Sequence, residues 1–144
     1  MKSETPLSKH EIKTLSDFRY QLRRFLHISE ELTAAAGITN LQYLVLLHIK
    51  GMPERDWATI TELAQRLLSK HHGVVALIDR CERLQLLERR PGRQDRREVE
   101  VHLTAKGQRL VQRLARLHRD ELVRLEGVFA VPVPGRLAPQ GAGA

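Results

Sequence analysis

The chain has 144 residues, of which 28% are charged, and it carries a formal net charge of +7 at pH 7. This length predicts one domain with a sizeable core, and the basic balance favours an anionic partner, most commonly nucleic acid. The single cysteine excludes an internal disulfide and a cysteine-rich zinc module. No apolar run approaches the roughly 20 residues of a membrane span, and the N-terminus lacks the apolar core of a signal peptide. A cytoplasmic protein without a membrane partner is therefore expected.

The first predicted element is a long amphipathic helix. Ser8 and Glu11 match a capping box, in which each side chain accepts a hydrogen bond from the other residue's backbone N–H. Apolar residues then recur at helical spacing as far as Gly37, which is a typical C-cap. Thr39 and Gln42 repeat the capping pattern and begin a second helix, "LQYLVLLHIK". This helix is apolar nearly all round and is therefore expected to be buried.

Two short helices are predicted after the loop "MPERDWA". The first, "ITELAQRLL", begins at Thr59 or Thr61, and the second, "SKHHGVVALIDRCERL", begins with Ser69 as its N-cap. Only a few residues separate them, which is the outline of a helix-turn-helix. The inner face of the second helix is expected to consist of Val74, Leu77, Ile78, Cys81 and Leu84.

A β-hairpin and a last helix complete the pattern. A strand begins at Leu86, and the Pro-Gly pair at 91–92 lies in the turn region. Thr104 caps a long final helix. The returning strand alternates strictly, and its inward face is expected to consist of Val99, Val101 and Leu103.

The sequence therefore predicts a mainly α fold with a small β-hairpin. The predicted organisation is, in chain order, a flexible N-terminus (1–7), a helix (8–36), a winged helix-turn-helix lobe (about 39–103), a helix (104–129) and a disordered Pro/Gly/Ala-rich tail (131–144). The helices and the lobe together are expected to form a single domain at 8–130.

Positive charge is concentrated at the tip of the predicted hairpin, which is the wing. Residues 69–97 contain eight Lys/Arg against four Asp/Glu, and five of the arginines lie at 89–97. Arginines at a wing tip can follow phosphates or enter a minor groove. Asp95 is the one acid among these five arginines, and we expect it to hold Arg97 through a charge-assisted hydrogen bond.

The stretch "ITELAQRLLSKHHGVVALIDRCERLQLLERRPGRQDRREVEVHLTAKG" resembles the MarR (multiple antibiotic resistance regulator) family of bacterial transcription factors. "LIDR" followed by "LLER" is similar to that family's recognition helix and first wing strand, and "DRR" followed by "VEVHLTAKG" to its second wing strand and next helix. Gln85 stands where these proteins commonly have a glycine, so the turn after the recognition helix is expected to close differently. Gly73 and Ala76 stand where larger polar residues are common, so fewer direct base contacts are expected.

The charge pattern and the resemblance together point to a sequence-specific regulator that binds double-stranded DNA. The resemblance implies a ligand-responsive repressor that binds a pseudo-palindromic operator as a homodimer. The alternative is a winged-helix protein–protein interaction module whose DNA affinity is incidental to its charge. The candidate DNA-binding residues are Thr61, Ser69, Lys70, His71, His72, Gly73, Val74, Arg93, Asp95, Arg96 and Arg97.

The terminal helices carry apolar stripes that a single winged domain leaves largely uncovered, and the resemblance implies that a helical dimer interface buries them. The candidate dimerisation residues are Ile12, Leu15, Phe18, Leu22, Leu114, Leu122, Leu125 and Phe129. The resemblance also implies that a small phenolic or other aromatic anion binds between the dimerisation helices and the DNA-binding lobe. Phe25, Tyr43 and Leu46 are candidates to line that pocket, although core packing is the preferred interpretation of all three.

The histidine pair His71–His72 has three interpretations: a metal site, contacts to phosphates or base edges, or two ordinary exposed side chains. Contact with DNA is preferred to a metal because Val75 and Ala76, one turn on, offer no further ligand. Cys81 is either a redox sensor or a core residue, and its place on an apolar stripe favours the core because a reactive thiol needs exposure. No phosphate-binding loop, paired carboxylates or nucleophile–base pair stands out. Neither catalysis, a cofactor nor a metal is therefore expected.

Overall fold

The computed structural model describes residues 4–128 and 130–132, and these form five helices and three short strands. In chain order the elements are α1 (Lys9–Ala35), α2 (Asn40–Lys50), β1 (Trp57–Thr59), α3 (Ile60–Leu67), α4 (His71–Arg83), β2 (Leu87–Pro91), β3 (Val99–Leu103) and α5 (Ala105–Arg124). The predicted fold class, mainly α with a small β element, is confirmed.

The chain divides into two compact units. One comprises Met1–Ile28 with Asp120–Ala144, and the other comprises Ser29–Arg119. The second unit, which we call the winged unit, contains α2, α3, α4 and the whole sheet. All the candidate DNA-binding residues therefore belong to one compact unit.

Side-chain caps fix where most of the helices begin. At the start of α1, the Ser8 hydroxyl accepts from Glu11 N at 3.1 Å, which confirms the predicted capping box. Two further capping boxes begin α2 at Thr39 and α3 at Thr59, so Thr59 is the N-cap of α3 and Thr61 lies inside the helix. A threonine that precedes a glutamate by three residues satisfies two backbone N–H groups at once, and Thr59 has that spacing to Glu62.

The last helix begins as predicted but ends earlier than predicted. The Thr104 hydroxyl accepts from Gly107 N at 3.1 Å and so caps α5. An added Cβ at Gly107 would lie 1.9 Å from the Leu86 carbonyl oxygen, so only glycine permits this close approach of α5 to the start of β2. α5 ends at Arg124, and residues 125–128 form turns. The prediction of a helix to residue 129 is therefore wrong.

The core of the winged unit is apolar and draws on nearly every element of that unit. Its fully buried side chains come from α2, α3, α4, the strands and α5. They include Leu46, Ile49, Leu63, Val74, Ile78, Val101 and Leu114. Burial of apolar area stabilises a fold by roughly 25 cal/mol per Å². This core fixes α4 against the rest of the unit.

The sheet has three antiparallel strands in the order β1-β3-β2. Trp57 pairs with His102 across β1 and β3, and Leu87 pairs with Leu103 across β2 and β3. The interpretation of "MPERDWA" as a loop is wrong at its end, because Trp57 and Ala58 belong to β1. A three-residue strand is too short to show an alternating pattern, and its place becomes evident only from its pairing with β3.

Candidate nucleic-acid interface

The helix-turn-helix consists of α3, a short turn and α4. α3 ends at Leu67, and its C-cap, Leu68, has a left-handed φ of 52°. Ser69 N donates to the Ala64 carbonyl at 3.0 Å. The N-cap of α4 is Lys70, whose side chain makes no capping hydrogen bond. The prediction of Ser69 as the N-cap is wrong, because its hydroxyl donates instead to the Leu67 carbonyl at 3.2 Å.

The first turn of α4 presents polar side chains to solvent. Lys70, His71, His72 and Gly73 are all exposed, as is Thr61 on α3. An exposed first turn with a lysine and two histidines can reach phosphates and base edges.

Among the α4 residues that were predicted to contact DNA, Val74 is the one that the structure buries. Its side chain is 0% exposed and packs in the core of the winged unit. The apolar stripe of α4 thus begins at Val74 itself, and this residue lies on the inner face although its neighbours Gly73 and His72 are exposed. The prediction that Val74 contacts DNA is therefore wrong.

The turn after α4 closes in the conformation that glycine favours, although it contains none. Gln85 has a left-handed φ of 61°, and Leu86 N donates to the Cys81 carbonyl at 3.1 Å. This bond and φ make a Schellman ending, in which the left-handed residue is usually glycine. The expectation that Gln85 makes this turn close differently is wrong. Leu84, predicted on the inner face, is the C-cap and is 37% exposed.

The wing loop, which we define as residues 92–98, is closed by backbone hydrogen bonds. β2 and β3 pair as far as Pro91 and Val99, and Gly92 N then donates to the Glu98 carbonyl at 2.7 Å. Glu98 N in turn donates to the Asp95 carbonyl at 3.0 Å. A Cβ at Gly92 would lie 2.3 Å from the Asp95 carbonyl oxygen, so this tight loop requires glycine.

The wing loop displays the predicted arginines. Arg93, Arg96 and Arg97 are all exposed. Asp95 accepts from Arg97 Nε at 3.3 Å and from Arg97 N at 3.0 Å, which confirms the predicted contact between these two residues. The Arg97 side chain is 93% exposed, so this bond orients the guanidinium and adds little stability.

Arg89 has a structural role that the sequence did not reveal. Its guanidinium pairs with Asp79 at 2.5 Å and with Glu82, both on α4, and donates to the Val75 carbonyl at 3.4 Å. This arginine therefore joins β2 to α4 instead of facing a ligand. The sequence pattern that could have indicated this contact is a pair of acids three residues apart on one helix, Asp79 and Glu82, followed by an arginine within the next strand.

The burial of Glu100 and His102 was also not predicted from the sequence. The strict alternation of β3 predicted that only Val99, Val101 and Leu103 face inward, yet Glu100 is 4% and His102 is 8% exposed. His102 is covered because its ring stacks on Trp57, with 6.1 Å between centroids. The hydrogen bond with His102 at 2.9 Å holds the pKa of Glu100 below its usual value, and a second one from Arg93 N at 3.2 Å acts in the same direction.

The candidate dimerisation residues divide into three groups. Ile12, Leu15 and Leu122 are exposed by 48%, 39% and 46%. Phe18, Leu22 and Leu125 are partly buried. Leu114 is 1% exposed within the core of the winged unit, so its assignment to a dimer interface is wrong. Phe129 lies outside the described residues.

Two of the three candidate pocket residues are core residues, which was the preferred interpretation. Tyr43 is 3% exposed and stacks on His118 with 4.5 Å between ring centroids, and Leu46 is 0% exposed. The His118 ring also contacts the Ser29 hydroxyl at 2.7 Å. Phe25 is partly buried on α1.

Cys81, the candidate redox residue, is a core residue. Its side chain is 0% exposed, and burial raises the pKa of its thiol to about 11, so it has none of the properties of a reactive thiol.

Within residues 4–128 and 130–132, no three His, Cys, Asp or Glu side chains are grouped as metal ligands. In the same part of the chain no single helix is long and apolar enough to cross a membrane, and only the sharply bent pair α1 and α2 reaches that length and composition together.

Comparisons with known proteins agree with this geometry. Residues 36–98 match the model of the MarR family. The transcriptional regulator PapX of Escherichia coli is 28% identical over 92 residues, which cover 64% of this chain and 56% of PapX. The match thus spans little more than half the length of this relative.

Solved structures extend the likeness to nearly the whole chain. AbsC, a MarR family regulator from Streptomyces coelicolor, superimposes with a TM-score of 0.75 at 22% identity, covering 90% of this chain and 86% of AbsC. A variant of MepR from S. aureus, solved bound to an oligodeoxyribonucleotide, gives a TM-score of 0.64 at 24% identity, covering 76% of this chain and 79% of that one. At these identities the superpositions establish the fold. The chain is thus similar to the MarR family over residues 36–98, and it shares the fold of the MarR family regulators that have been solved.

Proposed function

We propose that this protein is a sequence-specific transcriptional regulator that binds double-stranded DNA as a homodimer in the cytoplasm. One observation carries the proposal. The exposed first turn of α4 and an exposed loop with three arginines lie in the same compact unit. Residues 69–97, which contain both, hold twice as many Lys/Arg as Asp/Glu. Such a surface suits a polyanion whose bases are accessible in a groove.

The two parts of this surface suit different parts of a duplex. The first turn of α4 is narrow enough to enter a major groove, where His71 and His72 reach base edges and Lys70 a phosphate. The wing arginines suit the phosphate backbone or a minor groove, because a guanidinium forms paired hydrogen bonds with anionic oxygens. Base contacts would then determine sequence preference, and phosphate contacts would supply much of the affinity.

The homodimer is supported by apolar side chains near the two ends of the described chain. Ile12, Leu15 and Leu122 are each more than a third exposed, and water-exposed apolar area on long helices favours association. A two-fold dimer presents two copies of α4 and so matches an operator with two half-sites about 34–36 Å apart, one helical turn.

We further propose that an effector, a small aromatic or phenolic anion, lowers operator affinity, so that the protein acts as a ligand-responsive repressor. This part rests on the similarity of residues 36–98 to the MarR family. Among the three candidate pocket residues, Phe25 alone is not part of the buried core. A ligand that binds one arrangement of the dimer better than the other would change the spacing of the two α4 helices.

Selection of genomic fragments by the purified protein tests the proposal directly. We expect a small set of fragments to be retained in excess competitor DNA, because specific affinities typically exceed non-specific ones by about 10³–10⁷. Retention that competitor DNA abolishes for every fragment would show that binding reflects charge alone. It would favour the alternative of a winged-helix protein–protein interaction module.

The double variant Leu122→Asp with Leu125→Asp tests the role of the dimer. It places two charges in the proposed interface, so we expect sedimentation to show a monomer and operator binding to be lost. Leu41→Asp is the matched control, because Leu41 is 52% exposed on α2 and should leave assembly and binding intact. A parent protein that sediments as a monomer at micromolar concentration would contradict the proposed dimer.

A further inference from the structure

The outer face of the sheet, opposite the apolar core, carries a cluster of polar and aromatic side chains. We define this outer cluster as Arg55, Trp57, Glu100 and His102. The Arg55 guanidinium lies 4.2 Å from the centroid of the Trp57 ring, and the His102 ring stacks on the same indole at 6.1 Å. The strand order places β3 at the centre of the sheet, so Glu100 and His102 are covered although their neighbours in sequence face the core.

The outer cluster is joined to the start of α3. Arg55 pairs with Glu62, and the same carboxylate accepts from Thr59 N at 3.0 Å in the capping box of α3. The helix-turn-helix and the outer face of the sheet are thus connected by polar contacts.

Glu100 joins the outer cluster to the wing loop. One oxygen, Oε1, bonds with His102 Nε2 at 2.9 Å, and the other, Oε2, accepts from the backbone N–H of Arg93 at 3.2 Å. Arg93 is the second residue of the wing loop, after the end of β2 at Pro91. Trp57, Arg93 and Glu100 line a common cleft of about 270 Å³. A buried carboxylate therefore holds the backbone of a residue whose own side chain is exposed and cationic.

We propose that Glu100 and His102 are positioning residues for DNA binding, which hold the wing loop through the Arg93 backbone without contacting DNA. This inference rests on the proposed DNA-binding function. His102 orients the Glu100 carboxylate, and the carboxylate fixes the direction in which the loop leaves the sheet. Glu100 is only 4% exposed, and its carboxylate bonds with His102 and accepts a hydrogen bond from the loop backbone at Arg93 N. A buried hydrogen bond of this kind restricts the direction of the loop more than the exposed contacts within the loop can.

The direction in which DNA affinity changes when a carboxylate is removed distinguishes a positioning role from a purely electrostatic one. Removing a carboxylate close to a DNA-binding surface should tighten binding if only charge matters, because it reduces repulsion of the phosphates. Removing Glu100 should instead weaken binding if the carboxylate holds the loop. Glu98 is the matched control, since it carries the same charge two residues away on an exposed side chain.

Amide hydrogen exchange in the full-length protein tests the anchoring without DNA. Glu100→Met keeps the side-chain volume but removes the acceptor oxygens, so we expect the Arg93 amide to exchange at least about tenfold faster. The Gly92 amide, which donates to the Glu98 carbonyl, should keep its rate. Glu100→Gln can still accept from Arg93 N and should restore protection. The fluorescence of Trp57, the single tryptophan, reports whether each variant retains the fold of the outer cluster.

Operator affinity of the same variants tests the consequence for binding. We expect Glu100→Met to bind about tenfold more weakly, a change of about 1.4 kcal/mol, with Glu100→Gln close to the parent and Glu98→Gln equal to or tighter than the parent. Glu100→Ala replaces Glu100→Met if methionine does not fit the site. An Arg93 amide that stays protected in Glu100→Met, or binding as tight as in Glu98→Gln, would overturn the inference. A parent protein without operator preference would overturn the proposed function, and the exchange rates would then decide the anchoring role alone.

Discussion

The first turn of α4 and the wing loop present similar polar and cationic side chains, but they are held in place by different interactions. α4 is fixed by apolar burial, with Val74 and Ile78 both 0% exposed. The wing loop is exposed over residues 93–98 and is closed by backbone hydrogen bonds and by the Glu100 carboxylate. Apolar burial is large and non-directional, whereas each hydrogen bond contributes little net stability but fixes a direction. Variants of the helix should therefore change stability, and variants of the loop should change geometry.

The largest expected effect comes from removing the apolar support of α4. Ile78→Ala should lower the free energy of unfolding by about 2–5 kcal/mol, because it leaves a cavity in a fully packed core. Urea denaturation measures the change. Arg83→Ala, at an exposed position on the same helix, should alter stability by less than about 0.5 kcal/mol. Equal losses of unfolding free energy in the two variants would contradict the conclusion that apolar burial holds α4 in place.

A glycine in each region gives the next largest effect, with opposite signs. Gly92→Ala should destabilise by about 1–3 kcal/mol, because the added Cβ would collide with two backbone carbonyls of the wing loop. Gly73→Ala should stabilise by about 0.5–1 kcal/mol, because it lies in a helix with nothing within 4 Å of the added Cβ. Thermal unfolding of both variants measures the pair. A neutral Gly92→Ala would show that the loop is not tightly closed.

The turn that follows α4 should gain stability from glycine. Gln85 has a φ of 61°, a conformation that costs an ordinary residue about 1–2 kcal/mol, and part of that cost is offset by the entropy that glycine loses on folding. Gln85→Gly should therefore raise the free energy of unfolding by about 0.5–1 kcal/mol. Leu84→Gly, one residue earlier with a φ of −81°, should destabilise instead. Destabilisation by Gln85→Gly in the same urea titration would contradict the left-handed turn.

Asp95→Ala should change stability least while still weakening DNA binding. Its partner Arg97 is 93% exposed, so the free energy of unfolding should move by less than about 0.5 kcal/mol. Operator binding should weaken because the guanidinium is no longer held in one direction, and dimerisation should be unchanged. Binding by Asp95→Ala as tight as the parent's would show that this bond does not orient Arg97 usefully.

Local patterns predicted the helices well because their causes are local. A capping pair such as Thr39 with Gln42 lies within four residues, and the apolar stripe of α4 repeats at the helical period. The contact between Asp95 and Arg97 was predictable for the same reason, since the two residues are neighbours in a short loop.

The outer face of the sheet could not be predicted because its cause is not local. Glu100 and His102 occupy the positions that alternation assigns to solvent. They are buried because β1, some 40 residues earlier in the chain, pairs with β3 and brings Trp57 against His102. The burial of Val74 was ambiguous for a related reason. The sequence assigned this residue both to the DNA-facing first turn of α4 and to its apolar stripe, and the packing of the core determines that it is buried.

The most direct test of the central claim compares His72→Ala with Arg97→Ala on an operator duplex and on a scrambled one, over a range of salt concentrations. If α4 contacts base edges, His72→Ala should lose about 1–3 kcal/mol on the operator and little on the scrambled duplex. If the wing contacts phosphates, Arg97→Ala should weaken both duplexes similarly and reduce the salt slope by about 1. Unchanged operator preference in His72→Ala, together with an unchanged salt slope in Arg97→Ala, would contradict this division of roles between α4 and the wing.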